Sequence, residues 1–291
     1  MTTNQAWPDG APQPPLEVAD LEQMAAVIRC DLLGMIHEAG EGHPGGSLSA
    51  ADMVTALYFR EMVIDPERPD WPDRDRFVLS KGHACPVWYS ALAERGYLDE
   101  ACLCTLRDAD SILQGHPDMN KTCGCEFTAG SLGHGLSAGI GMALAARHLG
   151  SPSHIWVIIG DGEMQEGSVW EAALAANKFG LDNLTVMLDL NGIQNDDFTA
   201  NIMPMEPVVD KWRAFNWRVV EIDGHDMAQI VEALHASREP SGKPTMIVAK
   251  TIKGKGVSFM ENNPAWHGRA PTDEELAQAL NEVRTAAGWE A

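Results

Sequence analysis

The sequence has few basic residues for its length. It contains 21 lysines and arginines against 42 aspartates and glutamates, which gives a formal net charge of −21 at pH 7. Nucleic acids and anionic membranes bind positively charged surfaces, so this balance argues against both as partners. An anionic ligand would have to be held locally, by a metal ion, helix N-termini and a few basic groups.

Long apolar runs and a secretory leader are also missing from the sequence. No stretch approaches the length of a membrane span, and no basic N-terminal region precedes an apolar core, so we expect a cytoplasmic location. The six cysteines include two Cys-x-Cys pairs, Cys102/Cys104 and Cys123/Cys125, rather than the Cys-x-x-Cys of zinc ribbons. In the cytoplasm we expect reduced thiols that serve mainly in packing.

The order of the apolar segments predicts an α/β fold. Hydrophobic residues make up 45% of the 291 residues, enough for a substantial core. Short buried strands are predicted at 76–79, 155–159, 184–190, 217–222 and 245–251, with helical patterns between them. Ser47 is predicted to cap the second helix, and Thr272 the last helix, which has Glu274 and Glu275 in its first turn. This alternation is typical of a parallel sheet covered by helices on both faces. Residues 1–15 contain four prolines and are expected to be a mobile N-terminal arm; residues 16–291 are expected to form one domain.

Two polar residues follow neighbouring predicted strands. Asp161 lies between two glycines after the first strand, and Asn191 follows the second. Either residue alone would suit a helix cap or a turn. Together, at matched strand ends, a carboxylate and an amide oxygen favour a divalent cation such as Mg²⁺ that is shared with the phosphates of a ligand.

Histidines next to glycine recur at the predicted element boundaries. His43, His83 and His116 each follow a glycine, and His267 precedes one. Such loops let the backbone approach a ligand closely, and imidazole can transfer protons near neutral pH. A zinc cluster is the rival interpretation, but the ligand spacing of zinc enzymes is missing. His134 and His225 also follow a glycine and are interpreted as structural.

Seven motifs in this order resemble the transketolase family, in particular its N-terminal half encoded as a separate subunit. The resemblance spans about residues 16–283, and the motifs are GHPGGS (42–47), RFVLSKGHA (76–84), QGHPDMNKT (114–122), AGSLGHGLS (129–137), GDGEMQEG (160–167), LDLNGIQND (188–196) and KTIKGKGVSFMENNPAWHG (250–268). The fold it implies is a thiamine diphosphate-binding fold.

The resemblance also implies site residues, by position. Asp161, Asn191 and the Ile193 carbonyl would bind Mg²⁺ or Ca²⁺. His267, His43 and His116 would face the sugar and serve catalysis, with His267 as the candidate base. Glu166 would lie in a carboxylate network at the subunit interface. The implied thiamine diphosphate contacts are His83, Gly130, Ser131, Leu132, Gly162, Glu163, Asn191 and His267.

The implied activity is transketolase chemistry, a transferase reaction. A two-carbon ketol unit would pass from a ketose or ketose phosphate to an aldose acceptor through a thiamine diphosphate carbanion. In the family, the glutamate that activates the pyrimidine and most phosphate-binding arginines belong to a following domain. We therefore expect this chain to be inactive alone. It would need a separate pyrimidine-binding subunit, in a heterotetramer with two copies of each chain. His134, Cys123 and Cys125 depart from the family pattern near the substrate channel, so the sugar is left open.

Other interpretations of the sequence stay open at this point. The alpha subunit of a thiamine-dependent 2-oxoacid dehydrogenase would share the Asp161/Asn191 arrangement. A specialised sugar or secondary-metabolite pathway would use the same chemistry. In a nicotinamide-dependent dehydrogenase, Gly130 to Gly135 would be the glycine-rich fingerprint of the dinucleotide site, but no convincing strand precedes this segment. A regulatory subunit without catalysis is disfavoured by the presence of Asp161, Asn191 and His267 together.

Overall fold

A parallel five-stranded sheet forms the centre of the computed structural model, which describes residues 15–289. The arm predicted for residues 1–15 lies outside the described residues, apart from Pro15. The strand order is β1-β2-β3-β5-β4. The strands are β1 (Arg76–Leu79), β2 (Ile155–Gly160), β3 (Leu184–Leu190), β4 (Arg218–Asp223) and β5 (Thr245–Lys250). All four strand pairs are parallel, as the sequence predicted.

Helices cover both faces of this sheet. The α-helices of the described residues are α1 (Val18–Ala39), α2 (Pro44–Ala56), α3 (Cys85–Glu94), α4 (His134–Leu149), α5 (Gly167–Phe179), α6 (Thr199–Ile202), α7 (Val208–Ala214), α8 (Met227–Ser237) and α9 (Asp273–Ala286). A π-turn at Leu57–Glu61 extends α2, and 3-10 turns lie at Gly82–Ala84, Glu100–Thr105, Glu163–Gln165 and Pro264–Trp266.

Two apolar cores lie on opposite faces of the sheet because neighbouring strand residues point in opposite directions. In β2, Trp156 and Ile158 join the core formed with α1, α2, α3 and α8. Ile155, Val157 and Ile159 join the core formed with α4, α5 and α7. The continuous apolar runs of β2 and β3 therefore reflect burial on both faces.

The strand register brings the polar ends together at one edge. Gly160 of β2 pairs with Asp189 of β3, so Asp161 and Asn191 follow neighbouring strand tips. On the other side of β3, Leu190 pairs with Lys250 of β5, so the chain after β5 leaves the sheet at the same edge. The candidate site lies at this carboxyl edge, where parallel sheets usually bind ligands.

The structure corrects one predicted helix start. Ser47 was predicted to cap the second helix, but α2 begins three residues earlier, at Pro44. Proline suits the first turn because its missing N–H would have no helical partner there. Ser47 lies inside the helix, where its Oγ donates to the His43 carbonyl at 2.8 Å.

No helix among residues 15–289 is long and apolar enough to cross a membrane.

Candidate active site

Three of the four predicted histidines meet at the carboxyl edge of the sheet. The ring centroids of His43 and His83 are 5.2 Å apart, those of His43 and His267 are 5.4 Å apart, and those of His83 and His267 are 5.2 Å apart in a stacked pair. The three rings come from positions far apart in the chain: the start of α2, the turn after β1 and the loop before α9. The fold therefore assembles an imidazole cluster from separate glycine-containing loops.

All three imidazoles are biased toward the neutral form. Burial, and then the neighbouring Lys253, lowers the pKa of His267 to about 3. Burial, followed by His116 and Arg107, lowers the pKa of His43 to about 4. Burial and then Lys81 lower the pKa of His83 well below its usual value. Neutral rings can accept or donate a proton, which a permanently charged ring cannot do.

The side-chain oxygens of both predicted metal-binding residues accept hydrogen bonds from the backbone of the β3–α6 connection. Asp161 Oδ2 accepts from the Gly192 N–H at 2.6 Å, and Asn191 Oδ1 accepts from the Ile193 N–H at 3.1 Å. Burial, and next the charge of Asp189, raises the pKa of Asp161 to about 6. A carboxylate, an amide and a carbonyl are hard oxygen donors, and this donor chemistry suits Mg²⁺ or Ca²⁺.

Among residues 15–289, no three His, Cys, Asp or Glu side chains are grouped closely enough to hold a metal ion. All six cysteines are free, and Cys104 and Cys123 are exposed. The zinc interpretation of the histidines therefore has no support in the described structure.

Lys253 is a buried ammonium within the site that the sequence reasoning did not single out. Its side chain is almost fully enclosed, at 2% exposure. Nζ donates to the Ile193 carbonyl at 3.0 Å and contacts His267 Nδ1 at 2.7 Å. Burial, and then Lys81, lowers the pKa of Lys253 to about 8. It lies in the quoted motif KTIKGKG, but only the structure shows which of its lysines enters the site.

A second buried lysine supports the end of β3. Lys81 Nζ forms an ion pair with Asp189 and donates to the Gly46 carbonyl at 2.7 Å. Asp189 also accepts from Ser49 Oγ at 2.6 Å and from Asn191 Nδ2 at 3.1 Å. Because Asp189 accepts from the amide nitrogen of Asn191, the amide oxygen points away from Asp189 and accepts from the Ile193 N–H.

Glu163 connects the loops around the site. Its Oε1 accepts from Ser80 Oγ and from the Gly133 N–H at 2.8 Å, and its Oε2 accepts from the Gly160 N–H at 3.1 Å. Gly133 has φ +80°, and an added Cβ would lie 2.7 Å from the Glu166 Cβ, so this position requires glycine. Cofactor contact by Glu163 stays a prediction; in the structure both of its oxygens hold protein backbone or Ser80.

The remaining predicted residues lie around this centre. Gly130, Ser131 and Leu132 form an exposed loop that leads into α4, and Glu166 is exposed just before α5. The segment is preceded by a loop rather than a strand, which removes the structural basis for a nicotinamide fingerprint. Gly162 is half-buried, and a Cβ there would lie 2.8 Å from the Gln194 Cβ.

His116 is exposed near the cluster rather than within it. Partial burial, and then the charge of Arg107, lowers the pKa of His116. Arg107 Nε donates at 2.7 Å to Oε1 of Glu41, which lies two residues before His43 in the same loop. His134 is exposed, and its Nδ1 lies 3.1 Å from the Leu132 carbonyl, in agreement with a structural role.

Comparison with known proteins agrees with this geometry. Residues 21–291 match the family described as "Transketolase, thiamine diphosphate binding domain". The chain is 48% identical over 264 residues to the 6-deoxy-6-sulfo-D-fructose transketolase subunit SqwG of Clostridium sp. (strain MSTE9), covering 91% of this chain and 96% of that protein. It is 42% identical over 270 residues to an apulose-4-phosphate transketolase subunit of Actinobacillus succinogenes, covering 92% and 98%.

Longer transketolases match over less of their length. The transketolase of Homo sapiens is 37% identical over 264 residues, which are 90% of this chain and 42% of that protein. The solved transketolase from Leishmania mexicana superposes with a TM-score of 0.87 at 32% identity, covering 93% of this chain and 41% of that one.

Proposed function

The chain belongs to the transketolase family, and we propose that it is the cofactor-binding subunit of a two-component transketolase. It transfers a two-carbon ketol unit from a ketose to an aldose acceptor with thiamine diphosphate and a divalent cation. The observation that carries this proposal is the assembly of the His43, His83 and His267 rings, which Lys253 links to the Ile193 carbonyl of the predicted metal site. The match to a thiamine diphosphate-binding family supports the choice of cofactor.

The residues fit the diphosphate end of this cofactor. Asp161, Asn191 and the Ile193 carbonyl provide hard oxygens for Mg²⁺ or Ca²⁺. The Lys253 ammonium and the ring nitrogens of His83 and His267 provide donors for phosphate oxygens. When bound, thiamine diphosphate supplies the reactive carbon that holds the transferred fragment. Lys253 donates to the Ile193 carbonyl, so its ammonium lies beside one of the oxygens that would hold the cation.

Proton transfer falls to the histidines of this chain. In the present arrangement Lys253 donates to His267 Nδ1, so the ring proton of His267 lies on Nε2, which then faces the site as a donor. His267 could accept a proton from a substrate hydroxyl at Nε2 when Nδ1 carries the ring proton, which requires that Lys253 does not donate to Nδ1. His43, which is also neutral, is the second candidate acceptor.

A partner subunit completes the proposed enzyme. SqwG and the apulose-4-phosphate protein are named as transketolase subunits, and this chain covers 96% and 98% of them. In the family, the pyrimidine-activating glutamate belongs to the pyrimidine-binding domain, whereas residues 21–291 match the thiamine diphosphate-binding domain. We propose a heterotetramer with two copies of each chain, with Glu166 at the junction. Its exposed position before α5 is compatible with that role.

The substrate class is a ketose of a specialised sugar pathway. The two most similar relatives described above are named for sugars that carry a sulfo or a phosphate group. A 2-oxoacid dehydrogenase is disfavoured because the family match is to transketolase.

Co-expression with the adjacent open reading frame tests the proposal. The purified pair is assayed with fructose 6-phosphate, xylulose 5-phosphate, 6-deoxy-6-sulfofructose and apulose 4-phosphate as donors, with and without thiamine diphosphate and Mg²⁺. We expect ketol transfer by the pair that depends on both cofactors, and none by the chain alone. Turnover of a 2-oxoacid with an electron acceptor, and of no ketose, would contradict the proposal.

A further inference from the structure

The loop after β5 delivers Lys253 into the site, and within this loop the Asn262 N–H donates to the Lys253 carbonyl at 2.9 Å. Lys253 reaches the Ile193 carbonyl and His267 from a glycine-rich segment, Ile252 to Gly256. On the site side this backbone is held by the Gly254 N–H, which donates to the Gly45 carbonyl at 3.0 Å. Because Lys253 is buried, its side chain has little room to compensate for a backbone shift, so the contacts on both flanks contribute to the position of its ammonium.

On the outer side, two side chains hold the same backbone. His225 Nε2 accepts from the Ile252 N–H at 2.8 Å. Arg29 Nε donates to the Lys255 carbonyl at 3.3 Å. The contacts fall on either side of Lys253, one residue before it and two residues after it. The backbone on both flanks of the lysine is thus fixed by groups from the β4–α8 connection and from α1.

Asp52 of α2 joins these two side chains. It accepts two hydrogen bonds from Arg29, at 2.9 Å and 2.6 Å, and one from His225 Nδ1 at 2.7 Å. The three side chains are only 10–11% exposed. Because Nε2 of His225 accepts from a backbone N–H, the ring proton lies on Nδ1 and donates to Asp52. Every polar group of this chain of contacts therefore has a defined partner.

Packing does not replace these hydrogen bonds. A cleft of about 450 Å³ opens on the outer side of the segment, with Thr251, Ile252, Lys255 and His225 among its lining residues. The cleft is open space beside this backbone, into which the segment could move once the hydrogen bonds are lost.

We propose that Asp52 and His225, fixed by Arg29, are positioning residues that hold the Ile252–Lys255 backbone so that Lys253 reaches the diphosphate end of the cofactor site. This inference rests on the proposed function, because it assigns these residues to thiamine diphosphate binding. None of the three contacts the predicted metal ligands, and they act through Lys253 alone. His225, which the sequence pattern marked as structural, thereby supports the site from outside.

Near-isosteric variants of His225 separate its two contacts. His225→Gln keeps an acceptor close to the Nε2 position, whereas His225→Asn keeps a donor close to the Nδ1 position. We expect His225→Asn and His225→Ala to weaken thiamine diphosphate binding about tenfold, the lower range for residues that orient a ligand-binding group. His225→Gln should stay within about threefold of the wild type.

The measurement is calorimetric titration of thiamine diphosphate at saturating Mg²⁺, on the chain in complex with its co-expressed partner. His154→Ala is the matched control, because this buried histidine bonds Thr185 Oγ1 at 2.8 Å at the opposite edge of the sheet. It should lower the unfolding temperature without changing the affinity. In a Lys253→Met background, His225→Ala should add less than about twofold, since coupled residues are not additive.

Each outcome separates the inference from the function on which it rests. A full tenfold loss from His225→Ala in the Lys253→Met background would overturn the inference, as would equal affinity of His225→Asn and the wild type. Failure of the wild-type complex to bind thiamine diphosphate would overturn the proposed function itself.

Discussion

Lys253 Nζ and His267 Nδ1 lie 2.7 Å apart, and this contact fixes the tautomer of the histidine that we propose as the base. An ammonium has only protons to offer, so Nδ1 must accept and Nε2 must carry the ring proton. The same ammonium also donates to the Ile193 carbonyl, one of the predicted cation ligands. Through one side chain, the proposed proton-transfer group and the proposed metal site are linked.

Replacement of His267 by alanine tests its role in proton transfer. We expect turnover of the reconstituted pair to fall at least about a hundredfold, the usual scale for a lost acid–base group. Thiamine diphosphate binding should be weaker but present, because His83 and Lys253 are retained. Steady-state kinetics and a cofactor titration measure the two effects. His148→Ala, an exposed histidine in the last turn of α4, is the control, and near-normal turnover by His267→Ala would refute the role.

Loss of the Lys253 ammonium should weaken binding of the diphosphate selectively. Lys253→Met is expected to lower thiamine diphosphate affinity by about tenfold or more, since charge-assisted hydrogen bonds contribute about 1.5–3 kcal/mol. Affinity for thiamine without phosphates should change little. Lys255→Met is the matched control, because its ammonium lies toward Glu261 at 3.7 Å and is partly exposed. An equal loss for both ligands would show that Lys253 supports the fold rather than the diphosphate.

The cation site depends on the Asp161 carboxylate. Asp161→Asn should leave the fold intact but abolish the Mg²⁺ dependence of thiamine diphosphate binding, because it removes the only negatively charged oxygen of the donor set and leaves the divalent cation with neutral oxygens alone. Titrations with and without a chelator measure this dependence. Asp210→Asn, on α7 and exposed, should behave as the wild type. Unchanged Mg²⁺ dependence in Asp161→Asn would place the cation elsewhere.

Stability should depend on pH through Asp31 of α1. Burial, and then the charges of Glu94 and Glu100, raises the pKa of Asp31 to about 7, and its Oδ2 is buried without a hydrogen-bond partner. The folded state therefore binds this proton more tightly than the unfolded chain, whose aspartate has a pKa near 3.8. The protonated Asp31 side chain therefore contributes its full stabilisation of the fold below the unfolded-state pKa of 3.8, and this contribution is lost as the pH rises toward the folded-state pKa of about 7.

Asp31→Asn removes this pH dependence. At pH 8 it should raise the free energy of unfolding by about 1–2 kcal/mol, a figure reduced for partial solvent screening. The gain should shrink steadily as the pH falls from 7 toward 4. Urea unfolding at several pH values measures it, with Glu22→Gln as the exposed control on the same helix. A gain that is independent of pH would mean that ionisation of Asp31 is not its cause.

Local patterns predicted most of the elements because their causes are local. The apolar runs at 155–159 and 184–190 became β2 and β3 within one residue. Thr272 caps α9 in a capping box with Glu275, as its position before an acidic first turn indicated. Ser47 was the wrong cap because Pro44, three residues earlier, already suits the first helical turn.

The sequence by itself determined the alternation of strands and helices, the oxygen donors after two strands and the family to which the motifs point. These properties depend on residue types at short spacing, which the chain order already contains. Tertiary structure alone decided that β5 lies between β3 and β4, and therefore which loop faces Asn191. It also decided the partners of the buried charged side chains. Lys253 enters the site and Lys81 pairs with Asp189. Asp52 bonds both Arg29 and His225. Such pairs join residues far apart in sequence, since a buried charge is stable only beside a partner that folding brings to it.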